Sequence, residues 1–565
     1  MQFVDIRDFE AQVLTLIVLH ANICPLDMCF SVILTKERVK MKSVEDLELG
    51  FSDAQNYAQR HNKEMFNSIF VRNTYLDDLV KQSVFFLVGE KGTGKTAYAT
   101  YLSNNSYNGN TATTVFLSST DYEKFYALKQ RNELGLTNYG GIWKVILLLL
   151  ISKSIKENSK VVNAFTKSGI YDILDAIDEY YAHAFSPEIA NVMKVIYESE
   201  TVAKLIFKYV EGNGKSGQTL EYSETRFQQN LFYIEKKFCE ALKSIKLKEN
   251  VILFIDGIDV RPDTIAYSDY IQCIRGLADA AWYLNTALFQ DLRDSKGRLR
   301  VVLLLRPDIF SSLNLQNSTA KLLDNSVFLD WRTTYRSYKT SRLYQIGIKL
   351  LSYNQPAIDC QDIWEEYLGW HLRSTSSERD YDTSFMAFLR ISLSRPRDIL
   401  VILQYLRNYM KANGMGKSSV FVQESFESDE FQNNYSEYFV GSLKDQMSFY
   451  YSSVDFEHFL KLFDYFDKTT FTYDEYKANY DLFIDYILNN AEEIPEFVDD
   501  PVKLLQLLYD CNIIMAITQK NDTTFFQMSY REKSNANINP KVPIGDNITY
   551  RFHYGMYKKA KLGRY

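Results

Sequence analysis

The sequence has few cysteines and no cysteine pattern typical of a metal site. Six cysteines are scattered over 565 residues, and the nearest pair, Cys24 and Cys29, lacks partners. Free thiols in a reducing compartment are the simplest interpretation. We therefore predict a cytoplasmic protein without structural disulfides.

The sequence also lacks a convincing signal peptide or membrane span. Three acids, Asp5, Asp8 and Glu10, stand where a signal peptide has basic residues. The apolar stretch 13–34 is too interrupted to cross a bilayer, because it contains four polar or helix-breaking residues: His20, Asn22, Pro25 and Asp27. We expect no membrane association.

The first forty residues are expected to be a non-native extension. The Lys36-Glu37 pair can be encoded AAG-GAG, which is a ribosome-binding sequence, and three codons separate it from Met41. This spacing predicts that translation starts at Met41. Peptides from residues 1–40 in the mass spectrum of the natively expressed protein would contradict the prediction.

An excess of positive charge is absent as well. Lysine and arginine number 64 against 71 acids, which gives a net charge of −7. The whole chain therefore has no electrostatic attraction to nucleic acid.

One motif is complete and lies in a suitable context. Residues 89–96 read Gly-Glu-Lys-Gly-Thr-Gly-Lys-Thr, which matches the phosphate-loop pattern G-x-x-x-x-G-K-[ST]. The mostly apolar run 83–88 precedes it and predicts a buried strand. Residues 97–102 follow it and are typical of the start of a helix. A strand, a glycine-rich loop and a helix form the arrangement that binds nucleotide phosphates.

Each residue type in this loop has a predicted role. Glycine has no Cβ, so the backbone can approach phosphate oxygens closely and direct N–H groups towards them. We expect the lysine to reach the β- and γ-phosphates and the following threonine to ligate Mg²⁺. The predicted nucleotide-binding residues are Gly89, Glu90, Lys91, Gly92, Thr93, Gly94, Lys95 and Thr96.

A second acid is predicted at the end of a neighbouring strand. Residues 251–255 are apolar and Asp256 follows them. Ligands bind outside the carboxyl ends of parallel strands, so Asp256 is placed to hold Mg²⁺ through water. Gly257 stands where many ATPases have a glutamate that orients water. Asp259 can take that role, or it can cap a helix.

A third buried strand is predicted at residues 300–305, and residues 326–330 predict another. Arg306 follows the strand 300–305 and can make bidentate contacts with a phosphate. The alternative is an ordinary surface arginine at the end of a strand.

These motifs resemble known families over about residues 41–420. An apolar strand that ends in Arg306-Pro307 resembles the sensor of STAND and related AAA+ ATPases, in which the arginine faces the nucleotide. The segment Ser-Arg-Pro-Arg-Asp-Ile-Leu at 394–400 resembles the second sensor of AAA+ and origin-recognition-like ATPases. Residues 49–54 and the phosphate loop resemble a bacterial group called P-loop ATPases or FunZ proteins.

The resemblance implies that Arg395 or Arg397 contacts the γ-phosphate from a lid. A helix that starts at Pro396 explains the same residues without a nucleotide. Two other P-loop classes fit less well. The sequence has no Leu-Ser-Gly-Gly-type signature of transporter ATPases. It also has no Asn-Lys-x-Asp guanine reader, so ATP is favoured over GTP.

The predicted fold class is α/β, with a parallel-sheet P-loop core. The core is expected to span residues 41–330 with a large helical insertion at about 122–248, because about 160 residues separate the loop from Asp256. A helical lid is predicted at 331–413. Two strand-like segments, 511–517 and 523–528, predict a wing, so a winged-helix-like domain is expected at 428–565.

Charge bears on what this last domain binds. Residues 455–510 contain fourteen acids and four lysines, which opposes DNA binding, whereas the last nineteen residues are basic. Docking of a protein partner or transmission of the nucleotide state is favoured over DNA.

The predicted function is Mg²⁺-dependent ATP hydrolysis by a regulatory switch. The resemblance alone suggests a place in bacterial phage defence. Homo-oligomerisation is open, and the effector partner is not identified. The alternatives are a DNA-associated ATPase similar to origin-recognition proteins and a nucleotide-gated scaffold without hydrolysis.

Overall fold

A computed structural model of the chain describes residues 41–118, 139–163, 167–184, 224–292, 295–355, 363–373, 381–520 and 523–561. The predicted N-terminal extension lies outside the described residues, as does part of the predicted insertion. The residues from Lys42 onwards form one compact unit.

A five-stranded sheet with only parallel pairs forms the centre of the predicted core, which confirms the α/β class. Its strands are β1 (Phe86–Val88), β2 (Asn110–Phe116), β3 (Asn250–Asp256), β4 (Leu299–Leu305) and β5 (Ser326–Phe328). Their order is β2-β3-β4-β1-β5, with Phe86 opposite Leu303 and Leu87 opposite Val327. Continuous apolar runs suit such strands because helices cover both faces. β4 therefore lies between the strand of the phosphate loop and the strand of Asp256.

The helices of residues 41–330 surround this sheet. Their bounds are Lys63–Ile69, Thr74–Leu79, Lys95–Asn104, Tyr139–Glu157, Gly169–Ala184, Glu224–Ser244, Tyr267–Tyr283, Pro307–Ser312 and Ser318–Asp324. The run predicted as a buried helix, 142–150, lies within Tyr139–Glu157. Its Trp143 and Leu147 join Leu253 and Leu303 of the sheet in one apolar core. The described part of the predicted insertion is thus packed onto the sheet.

The predicted lid contains helices and a small hairpin. The helices are Arg342–Ser352, Ile363–Leu368, Ser384–Ile391 and Pro396–Ala412, and the hairpin joins β6 (His371–Arg373) and β7 (Tyr381–Thr383). Pro396 occupies the first turn of its helix, as predicted. Proline is favoured there because its missing N–H has no partner within the helix.

The described part of the C-terminal region, taken here as residues 423–561, combines six helices with an antiparallel sheet. The helices are Gln423–Glu427, Asp429–Met447, Ser453–Lys461, Tyr473–Asn490, Pro501–Asp510 and Ser529–Glu532. The strands are β8 (Thr470–Thr472), β9 (Ile514–Lys520), β10 (Thr523–Gln527) and β11 (Ile548–Phe552), in the order β10-β9-β11-β8. The predicted two-stranded wing corresponds to β9 and β10. This hairpin belongs to a larger sheet, so the winged-helix assignment stays a prediction.

None of the described helices combines the length and the apolar composition needed to cross a bilayer.

Candidate functional site

The phosphate loop connects β1 to the helix Lys95–Asn104 at the carboxyl edge of the parallel sheet. Gly92 and Gly94 have φ angles of +85° and +94°, a region that L-residues with a side chain rarely adopt. Gly94 is the residue before the helix begins. The glycines therefore allow the loop to turn into the helix N-terminus, where free N–H groups favour an anion.

Lys95 is nearly buried inside the loop. Its Nζ donates hydrogen bonds to the carbonyl oxygens of Gly89 at 2.8 Å and Glu90 at 3.3 Å. Burial lowers the pKa of Lys95 because desolvation disfavours the ammonium, and the carboxylates of Asp259 and Asp256 oppose that shift. An anion next to this nitrogen would stabilise its charged form.

Thr96 and Asp256 meet at the position predicted for the metal. The Thr96 hydroxyl donates to Oδ2 of Asp256 at 2.6 Å, and the Gly257 N–H donates to Oδ1 at 2.8 Å. Burial raises the pKa of Asp256, while the Thr96 hydrogen bond lowers it and the charge of Asp259 raises it. Adjacent hydroxyl and carboxylate oxygens suit Mg²⁺, and its charge would offset this desolvation. The oxygen donors present therefore fit the ion.

The structure explains why no glutamate follows Asp256. Gly257 has φ +83°, and a Cβ at this position would lie 2.2 Å from the carbonyl oxygen of Leu117, the residue that directly follows β2. Any side chain here would overlap the backbone. Asp259 lies in the turn after β3 and lines a cavity that opens beside the phosphate loop. It caps no helix, because the next helix begins at Tyr267 after the N-cap Ala266.

Arg306 lies at the end of β4 and is almost fully buried. Its Nε donates to Oδ1 of Asp308 at 3.0 Å, and its Nη2 donates to the other oxygen of that carboxylate. Burial alone would lower the pKa of Arg306, but the charge of Asp308 outweighs it and the net shift is upward. Among the described residues, Nη1 has no hydrogen-bond partner. One buried guanidinium nitrogen thus keeps its capacity to donate.

The arginines predicted from the second-sensor motif both reach the phosphate loop, in different ways. Arg395 is 6 % exposed and ion-paired with Asp398 at 2.9 Å, and its Nη1 donates to the carbonyl of Lys91 at 3.0 Å. Arg397 lines the cavity, and its Nε donates to the carbonyl of Ser52 at 3.0 Å. Arg395 is therefore a support of the loop in this structure, and Arg397 is the more accessible of the two.

A cavity of about 540 Å³ opens beside the loop. Asp256 and Asp259 line one part of it together with Lys95 and Thr96. The other part is largely apolar, and its side chains come from the N-terminal segment and from the predicted lid: Phe51, Tyr57, Phe66, Phe70, Ile346, Leu350 and Leu400. This size is within the range of small-molecule sites. A charged end and an apolar end match the two parts of a nucleotide.

Two loop residues predicted to bind phosphate have side-chain partners in the C-terminal region. Glu90 pairs with Lys533 at 2.7 Å, and Lys91 pairs with Asp445 at 2.9 Å. Sequence analysis missed both partners, and no local signal could have indicated them. It also missed Asp308 and Asp398, although each lies within three residues of the arginine that it binds.

Comparison of the chain with protein-family models and with curated proteins finds no match, so the assignment of this site rests on its own residues and geometry.

Proposed function

We propose that the chain binds ATP and Mg²⁺ at the phosphate loop and hydrolyses the β–γ bond. The observation that carries the proposal is that Lys95, Thr96 and Asp256 lie together in the lining of the 540 Å³ cavity. Lys95 and Thr96 begin the helix that follows β1, and Asp256 ends β3, at the edge where parallel α/β sheets bind ligands. The apolar end of the cavity suits a base, and the missing guanine reader favours adenine.

The residues of the site divide the chemistry between them. The loop N–H groups and Lys95 hold the phosphates and stabilise the charge that develops on the transferred group. Thr96 and Asp256 hold Mg²⁺, which when bound neutralises phosphate charge. Arg306 is not among the described residues that line the cavity, so its free Nη1 would meet a phosphate oxygen only after a change in the site. Gly257 leaves no place for a glutamate, so Asp259 is the carboxylate that orients the attacking water in this proposal.

Regulation is the role we propose for the hydrolysis. Ion pairs connect Glu90 and Lys91 of the loop to Lys533 and Asp445 of the C-terminal region. A change in the loop on binding ATP therefore acts directly on that region. The resemblance to STAND and AAA+ ATPases agrees with such a switch, and a place in phage defence rests on the resemblance alone.

Binding and steady-state turnover of ATP by the full chain test the proposal, with Lys95→Ala as the variant. We expect Lys95→Ala to lose turnover by about 100-fold or more and to bind ATP far more weakly, because it removes the ammonium that lies inside the loop. Lys81→Ala is the matched control, since the Lys81 side chain is exposed near the same sheet and pairs with Asp78. Normal binding and turnover by Lys95→Ala would refute the site.

A nucleotide-gated scaffold without hydrolysis is the second candidate. The observation that favours it is the steric exclusion of a glutamate after Asp256. ATP binding that depends on Lys95, with no turnover above the background of the Lys95→Ala variant, would establish this alternative over the ATPase.

A DNA-associated ATPase fits the charges less well. Two lysines of the basic tail, Lys558 and Lys559, form ion pairs with Asp429 and Glu437 at 2.6 and 3.6 Å. Their charge is therefore partly neutralised within the chain. DNA binding that weakens steeply with salt, together with DNA-stimulated turnover, would reverse this preference.

A further inference from the structure

An ion pair connects the phosphate loop to the C-terminal region. Lys533 directly follows the helix Ser529–Glu532, and its Nζ is 2.7 Å from Oε1 of Glu90. The two residues are 443 positions apart in sequence. The Lys533 side chain is 5 % exposed and that of Glu90 is 18 % exposed. Water therefore screens this pair far less than a pair on the surface.

Glu90 links this pair to the lysine of the loop. Its side chain binds Lys533, while its backbone carbonyl accepts a hydrogen bond from Lys95 Nζ. A phosphate that binds Lys95 would compete with that carbonyl. Any shift of Glu90 therefore affects both the C-terminal region and the nitrogen that is expected to bind nucleotide.

Further contacts hold the segment 529–540 against residues of the parallel-sheet core and of the predicted lid. Arg332 donates to the carbonyl of Arg531, and Asn539 Nδ2 donates to Ser311 Oγ at 2.7 Å. A cavity of about 40 Å³ with polar and apolar lining lies beside the pair, and both Glu90 and Lys533 line it. The segment is thus held by polar contacts together with apolar packing, since Ile538 packs against the core of the parallel sheet.

Buried charge makes this contact sensitive to the loss of either partner. Burial alone lowers the pKa of Lys533, but Glu90 and Asp308 outweigh it, so the ammonium stays charged. Transfer of the two charges out of water costs free energy. Removal of one partner then leaves the other charge buried and uncompensated. Separation of the two charges is therefore costly unless water reaches both of them.

We propose that the Glu90–Lys533 pair is a latch by which the C-terminal region restrains nucleotide exchange at the phosphate loop. The paired state keeps Glu90 where its carbonyl binds Lys95, and so slows both entry and release of nucleotide. Opening of the C-terminal region frees the loop. The inference rests on the proposed nucleotide site and names the regulation of that site.

A double-mutant cycle on the release rate of a fluorescent ATP analogue tests the latch. The variants are Glu90→Gln, Lys533→Met and the double variant, in the full chain. We expect each single change to accelerate release by about tenfold, because it breaks a buried pair. The double variant should release no faster than the faster single variant, since both changes remove the same contact.

Lys503→Met is the matched control. Lys503 also pairs with an acid in the C-terminal region, Asp499, but its side chain is 61 % exposed. Its release rate should equal that of the unchanged chain. Unchanged release in Glu90→Gln and Lys533→Met, or additive effects in the double variant, would overturn the latch.

Amide hydrogen exchange without nucleotide separates failure of the latch from failure of the proposed function. Lys533→Met and Glu90→Gln should each speed exchange in residues 529–540, whether or not the chain binds ATP. Faster exchange in a chain that binds no ATP would keep the docking contact but overturn its role in nucleotide exchange. Unchanged exchange would overturn the contact itself. Glu90→Gln preserves side-chain size, so it guards against a folding defect in Lys533→Met.

Discussion

The phosphate loop has two faces that are held by different forces. The cavity face, formed by Gly92, Gly94, Lys95 and Thr96, depends on backbone geometry and on bonds within the loop and to Asp256. The docking face, formed by Glu90 and Lys91, depends on ion pairs with the C-terminal region, and Lys91 also lines the cavity. One eight-residue motif therefore contacts both the proposed ligand and a distant part of the chain. The motif pattern itself predicts only the contact with the ligand.

The largest expected effect concerns buried charge next to the docking face. Asp398 is fully buried and accepts hydrogen bonds from Arg395, Tyr438 and the Leu393 N–H. Asp398→Ala should lower the free energy of unfolding by about 3–5 kcal/mol, because it leaves the Arg395 charge buried and unpaired. Denaturant unfolding measures the change.

Two further variants show whether charge is the cause. Asp499→Ala removes an acid from an exposed pair and should cost less than about 1 kcal/mol. Adding Arg395→Met to Asp398→Ala should restore part of the loss, because no charge is then stranded. A double variant less stable than Asp398→Ala would show that packing, and not charge, supports the loop here.

The next effect tests the geometry beside the cavity face. Gly257→Ala should destabilise the chain by about 2 kcal/mol or more, since it combines a positive φ with an overlap against Leu117. Gly109→Ala is the matched control, because Gly109 has φ +70° and nothing within 4 Å of an added Cβ. The expected smaller loss of stability in Gly109→Ala measures the free-energy cost of the positive φ angle alone. Equal losses for the two variants would show that the strand–strand contact yields easily.

Much of the cavity face could be predicted from sequence, because its signals are local. The run 251–256 predicted β3 to within one residue, since an apolar run that ends in an acid admits few other structures in an α/β chain. Gly92 and Gly94 indicated a backbone that can approach a phosphate closely, and the structure adds that both have a positive φ. The meeting of Thr96 with Asp256 followed from the rule that parallel strands end at one edge.

The docking face could not be predicted in the same way. Lys533 is one of many lysines, and nothing near it in sequence points to Glu90. The apolar end of the cavity was missed for the same reason, because Ile346, Leu350 and Leu400 lie on helices of the predicted lid. Gly257 was recognised as a departure from the ATPase pattern. Its cause, the carbonyl of Leu117, emerged only when the neighbouring strand was in place.

The smallest expected effect is a pH dependence near the docking face. Asp510 lies close to Lys533, Asp308 and Lys541, and Gln506 donates a hydrogen bond to it at 2.8 Å. Burial raises the pKa of Asp510 to about 6, and Lys533 partly opposes this shift. The unfolded chain titrates at the ordinary value of 3.8. The folded chain therefore binds the proton more tightly, and this contribution to stability is present below pH 3.8 and lost as pH rises through about 6.

Asp510→Asn isolates this titration because the amide keeps an oxygen for Gln506. Between pH 4 and pH 7 the free energy of unfolding of the unchanged chain should fall relative to that of the variant. A shift of about two pKa units corresponds to at most about 3 kcal/mol, and we expect about 1 kcal/mol because the side chain keeps some contact with solvent. Parallel pH profiles would mean that Asp510 is not desolvated by the docked segment. A divergence that disappears in Lys533→Met would instead place Asp510 in the same charged network as the latch, and would show that the docking face, unlike the cavity face, responds to protons.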